Sequence, residues 1–116
     1  MFLPLEGVRV VEVASFLAAP SAAALMADLG ADVIKVEPPN GDTFRGNGAH
    51  MHGDLPINYR FEVDNRGKRS IALNLSSTSA EKVLKKLVSS ADIFITNLTT
   101  KRTKKYGLDF ETLKTI

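Results

Sequence analysis

Apolar positions change rhythm along the chain, and each rhythm names an element. Residues 8–13 (VRVVEV) form a short valine-rich run that is almost continuously apolar, the pattern of a strand covered on both faces. Pro20 then opens a helix where a missing N–H costs least. Ala22, Leu25, Met26 and Leu29 recur at three and four residues as its apolar face, and Gly30 stops it. Asp32–Glu37 (DVIKVE) is a second β-branched run, closed by Pro38-Pro39. Strand, helix and strand within about 30 residues make a βαβ unit, so the two strands should run parallel with a right-handed crossover.

Residues 38–64 keep no period; their glycines, Pro56 and two histidines predict a long loop with room for one helical turn. Residues 65–69 (NRGKR) read as a basic turn leading to a half-buried strand over residues 70–75, where Ile71, Leu73 and Leu75 alternate with smaller or polar residues. Thr78 and Glu81 read as a capping box for a helix whose apolar face is Ala80, Val83, Leu84, Leu87, Val88 and Ala91. Residues 92–96 (DIFIT) form a fourth strand. A basic segment (residues 101–105), Gly107 and a short amphipathic helix using Phe110, Leu113 and Ile116 follow. The order β-α-β-loop-β-α-β-α predicts an α/β fold, a Rossmann-like half-domain with a mostly parallel sheet. Ile116 falls inside the last helical pattern, as expected of an incomplete domain, a truncated piece of a longer polypeptide.

Composition narrows the function classes. The 116 residues carry 15 Lys+Arg against 13 Asp+Glu, 44% hydrophobic residues and no cysteine. That balance fits one globular domain, not a disordered chain, and lacks the basic excess of a protein built to neutralise nucleic-acid phosphates. No cysteine means no disulfide framework, thiolate zinc site or cysteine nucleophile. Glu6, Arg9 and Glu12 interrupt the apolar N-terminus, so neither a secretory signal nor a membrane span is expected, and the reading is a cytoplasmic protein.

Candidate chemistry sits at the predicted strand ends. The first strand–helix junction, residues 14–20 (ASFLAAP), has no glycine, so a standard NAD site is not expected although Glu37 stands where a ribose-binding acid would. Glu37 reads equally as a solvated strand-end charge, and the junction as close helix–sheet packing. The turn at residues 65–69 fits a phosphate-binding turn or a solvated one. Lys101, Arg102, Lys104 and Lys105 lie just past the fourth strand, a location that favours an anionic ligand. His50, His52 and Asp54 are too few for a metal site and read as loop residues. No nucleophile–base spacing is present. The residues alone point to a Rossmann-like piece with cationic strand ends for a phosphorylated ligand.

Three stretches carry a resemblance: residues 4–10 (PLEGVRV), 27–37 (ADLGADVIKVE) and 65–75 (NRGKRSIALNL), continued by residues 91–97 (ADIFITN). Together they resemble the N-terminal region of family III CoA-transferases. The resemblance implies residues 1–116 are the CoA-binding portion of a longer chain assembled as an interlocked homodimer. It implies acyl-CoA and a carboxylic acid as substrates, with no metal and no nicotinamide. It places Phe16, Leu17 and Ala18 along the CoA, with Leu73, Asn74, Leu75, Ser76, Asn97 and Leu98 lining the site and Lys105 facing the phosphates. In that family a downstream aspartate attacks the acyl-CoA, forming a mixed anhydride and then an aspartyl-type thioester. No aspartate here matches it, so these residues alone are expected to be inactive. The alternatives are a non-catalytic CoA-binding or partner-binding remnant or split subunit, and a fragment of an α-methylacyl-CoA racemase.

Overall fold

The computed structural model describes residues 2–46 and 57–116. Its centre is a four-stranded, all-parallel sheet of β1 (Arg9–Val13), β2 (Asp32–Glu37), β3 (Arg69–Ala72) and β4 (Ile93–Thr96), in the order β3-β2-β1-β4. The predicted Rossmann-like order is therefore present. β1 runs down the middle, with successive strands added first on one side and then on the other. Valines make this possible, because a parallel strand buried on both faces has no polar side to show water.

Helices cover both faces. On one, Val11, Val13 and Val36 pack with Leu84 and Val88 of α4 (Thr78–Ser89) and with Leu108. α5 (Thr100–Lys105) and α6 (Phe110–Leu113) lie on this side, through Tyr106 and Leu113. On the other face Val10 and Val33 meet Ala23 of α1 (Ala18–Asp28), and α3 (Tyr59–Asn65) packs against α1. A single helical turn, α2 (Thr43–Gly46), follows β2.

Several expectations change. α1 starts two residues early, at Ala18, and Pro20 occupies its third position, where no intrahelical donor is needed. Its buried side is Ala19, Pro20, Ala23 and Ala24, whereas Leu25 and Leu29 are exposed. The predicted face is therefore rotated: Met26 still packs on the core, but small side chains let the helix sit close to the sheet and turn Leu25 and Leu29 outward. Gly30 ends α1 as expected. It sits at φ +102, with Gly30 N–H bonding Ala27 O at 3.0 Å and Ala31 N–H bonding Met26 O at 3.0 Å, a Schellman closure.

The capping box is absent. Ser77 is the N-cap of α4, so Glu81 falls one position too late to reach back, and it pairs with Lys85 at 2.8 Å instead. β3 is shorter than expected and lies at the sheet edge, mostly exposed. In the last helix only Leu113 packs on the core; Phe110 and Ile116 are exposed, and α6 closes at Leu113 with Lys114 as its cap. α3 was not foreseen within the irregular stretch; Asn58 caps it, accepting from Phe61 N–H at 3.1 Å. The histidine pair His50 and His52, with Asp54, lies outside the described residues.

Candidate ligand site at the strand ends

Because β1 and β4 are parallel neighbours, with Val13 opposite Thr96, their C-terminal exits emerge side by side. Asn97 ties them: its Nδ2 donates to Ser15 O at 2.7 Å and its Oδ1 accepts from Ser15 N–H at 3.1 Å. Only a side chain with both donor and acceptor makes that pair. Thr96 Oγ1 donates to Val13 O at 2.6 Å. Between β1 and α1 the backbone turns through Phe16 at φ +64, the one non-glycine in the left-handed region among the described residues. The Phe16 ring is half exposed and stacks on Phe44 of α2, with centroids 5.6 Å apart.

At the end of β2, Glu37 is a hub and not a solvated charge. It is buried, and Arg45 of α2 clamps it with two bonds of 2.7 Å. Ser70 Oγ donates to it at 2.8 Å and Asp42 N–H at 2.9 Å. Desolvation alone would raise this carboxyl; Arg45, the Asp42 amide and Ser70 outweigh it and hold the pKa at about 2. With every acceptor occupied, Glu37 is not the free acid a ribose would need. A pKa below the unfolded value of 4.5 contributes stability that is complete above pH 4.5 and is lost as the pH falls toward about 2. Arg45 is partly exposed, so screening leaves on the order of 2 kcal/mol. Urea unfolding followed through this window should show that loss, and Glu37→Gln should flatten it.

The strand ends enclose a cleft of about 220 Å³. Its walls are Val13 to Ser15 at the end of β1, Val36 to Pro39 at the end of β2, Asp42 and Thr43, Leu73 to Ser76 beyond β3, and Leu98, Arg102 and Tyr106. A second cleft of about 260 Å³ lies beside it, lined by Ser77, Thr78, Glu81, Leu84, Lys105 and Gly107 and sharing Leu75, Ser76 and Tyr106. Leu75, Ser76 and Tyr106 are thus the wall that the two cavities share. The Tyr106 phenol, which desolvation would raise, is held below its ordinary value by hydrogen bonds with Ser76 and Arg102 and by the Lys105 charge.

Of the residues expected from the sequence, Leu73, Asn74, Leu75, Ser76 and Leu98 line the first cleft and Lys105 the second. Phe16 and Leu17 are exposed on the adjoining loop and Ala18 at the start of α1, all outside both linings, and Asn97 braces the loop. Ser15, Asp42 and Tyr106 line the first cleft without having been singled out for it, and of the basic cluster placed for an anionic ligand Arg102 lines the same cleft. In the basic turn at residues 65–69 the two arginines are exposed to solvent and the Lys68 side chain is buried, and each of the three cations has an acidic partner. Arg66 pairs with Asp28 at 2.5 Å, Arg69 with Asp32 at 2.7 Å, and the buried Lys68 with Glu12 at 2.7 Å. Burial pushes the Lys68 ammonium below its ordinary value against the pull of Glu12.

A parallel sheet with its cleft at the strand ends is shared by many enzymes, so the sequence must decide among them. The family model for CoA-transferase family III matches residues 5–116. The chain belongs to that family. Over 111 residues it is 44% identical to a cinnamoyl-CoA:phenyllactate CoA-transferase of Clostridium sporogenes, covering 94% of this chain and 27% of that one. An (R)-2-hydroxy-4-methylpentanoate CoA-transferase of Clostridioides difficile is 40% identical over 112 residues, covering 95% and 28%. The crystal structure of a CaiB/BaiF family protein from Brucella suis superposes with a TM-score of 0.89 at 41% identity, covering 99% of this chain and 31% of that one. This family III chain therefore spans less than a third of the length of these relatives. Among its described residues no helix is long and apolar enough to cross a membrane.

Proposed function

We propose that this chain is the CoA-binding N-terminal part of a CoA-transferase that moves CoA between an acyl-CoA and a carboxylic acid. The observation that carries the proposal is the cleft itself. It lies at the parallel strand ends, is walled by a glycine-free β1–α1 loop, and has Arg102 on one side of Tyr106 and Lys105 on the other. A pyrophosphate bound as in dinucleotide enzymes needs glycines at the junction. A long, thin ligand with charged phosphates at one end and an uncharged pantetheine arm fits two adjoining clefts, each lined by a cation. The names of the relatives, all CoA-transferases, point the same way.

In this reading the aspartate nucleophile belongs to the part of the transferase outside these residues. Its carboxylate attacks the thioester carbonyl and expels CoA thiolate, leaving a mixed anhydride. The thiolate then attacks the anhydride, releasing the first acid and forming an aspartyl-CoA thioester that the second acid resolves by the reverse steps. The described aspartates support that assignment, because each already has a partner. Asp28 pairs with Arg66, Asp32 with Arg9 and Arg69, and Asp42 with Lys35. Asp64 accepts from Ser21, Asp92 from the Arg9 amide, and Asp109 from Thr112. The role of this portion is binding and orientation. In the working cytoplasmic homodimer, further chain covers exposed residues such as Leu25 and Leu29.

Calorimetric titration of the chain with CoA, and separately with NAD, tests the reading. CoA is expected to bind and NAD to give no heat; at a hundredfold excess over its Kd, CoA should add about 2.7 kcal/mol of stability. Equal binding of NAD, or no binding of CoA, would overturn it.

A further inference from the structure

Beneath the β1–α1 loop lies a cluster of charges that touches neither solvent nor, apart from Asp42, the cleft. Glu12 of β1 and Lys35 of β2 face each other in register on the α1 side of the sheet. Lys35 Nζ lies 2.7 Å from Glu12 Oε1 and 2.9 Å from Asp42 Oδ2. Lys68 Nζ lies 2.7 Å from Glu12 Oε2. The side chains of Glu12, Lys35, Asp42 and Lys68 are all at most 2% exposed, and their charges sum to zero.

Stability does not account for such a cluster, because well-packed apolar residues of similar size commonly serve as well or better. The direction of the ammonium protons does. Lys35 donates to Ala14 O at 3.1 Å, and Lys68 to Pro20 O at 2.9 Å, Asp64 O at 2.7 Å and Asn65 Oδ1 at 3.0 Å. Ala14 and Pro20 bracket the loop that contains Phe16 at φ +64, a conformation that persists only where the surroundings over-determine it.

We propose that Lys35 and Lys68, joined through Glu12, are positioning residues that hold the Ala14 and Pro20 carbonyls and so preset the β1–α1 loop for its ligand. Neither lysine lines the cleft, so each acts through the loop. The ligand being CoA rests on the function proposed above; the clamp on the loop does not.

Two double variants each remove one lysine and one acid, keep the cluster neutral and leave one ion pair whole. Glu12→Gln with Lys68→Met retains Lys35–Asp42, and Lys35→Met with Asp42→Asn retains Glu12–Lys68. Both are read by hydrogen exchange of the Ser15 and Ser21 amides, which bond to Asn97 Oδ1 and Leu17 O, without ligand, and the first, which leaves the cleft lining intact, also by CoA calorimetry. The expected result is exchange faster by about tenfold and a CoA Kd raised about tenfold, while distant core amides stay protected. Unchanged loop exchange and Kd in a folded variant would overturn the proposal. If the wild type fails to bind CoA, the ligand assignment falls and loop exchange still decides the clamp. In the unliganded wild type the Phe16 amide should also be rigid, with an order parameter of about 0.85; a value below about 0.6 overturns the proposal whatever the variants do.

Discussion

Lys35→Met is expected to destabilise the fold by roughly 3–5 kcal/mol, a large share of what a domain of this size commands. The single change leaves the Asp42 carboxylate buried without its ammonium and strips a donor from Glu12 and from the Ala14 carbonyl. Breaking a buried pair from one side costs far more than replacing both partners, because the surviving charge stays desolvated. Urea unfolding monitored by circular dichroism measures the effect. A loss under about 1 kcal/mol would mean that water reaches the cluster and that these pairs behave as surface pairs.

Leu84→Ala should cost about 2–5 kcal/mol, whereas Leu25→Ala should stay within about 0.5 kcal/mol. Leu84 is 3% exposed between α4 and the central strands, so truncation opens a cavity that the rigid sheet cannot fill. Leu25 is 58% exposed on α1 and leaves none. Chemical denaturation of the two variants side by side reads the difference. Equal losses would restore the α1 face that spacing suggested and contradict the observed one.

That contrast shows where the sequence could be read and where it could not. The strands were legible because β-branched residues crowd residues 8–13 and 32–37, and DVIKVE was matched end to end. α4 was legible because its lysines and its apolar residues keep to opposite sides. α1 misled because apolar residues occur all round it. Leu25 and Leu29 keep a helical spacing, but so do Ala19 and Ala23, and only the sheet's proximity selects the small ones. The capping box failed by one residue, a shift that spacing cannot resolve.

The site divides in the same way. Leu73 to Ser76 and Leu98 came from the resemblance and do line the cleft. Arg102 and Tyr106 were within reach: they stand four apart, so one helical face carries both, while Lys101 and Lys104 point elsewhere. The Glu37–Arg45 clamp was out of reach, because an irregular stretch sets that contact. Glu12 and Lys35 offered a signal that went unused. Glu12 and Lys35 each stand between apolar neighbours within a doubly buried strand, a position that calls for a partner of opposite sign, and parallel pairing supplies it.

The most direct test of the central claim is a titration of the ¹⁵N-labelled chain with CoA, followed amide by amide. Shifts are expected only around the strand ends and the two clefts: Ser15 to Ala18, Asp42 and Thr43, Asn74 to Thr78, Leu98, Arg102 and Lys105 to Gly107. The opposite, N-terminal ends of the strands around Arg9 and Asp92 should stay still. Shifts centred elsewhere, or none at saturating CoA, would contradict a CoA site at the ends of these strands.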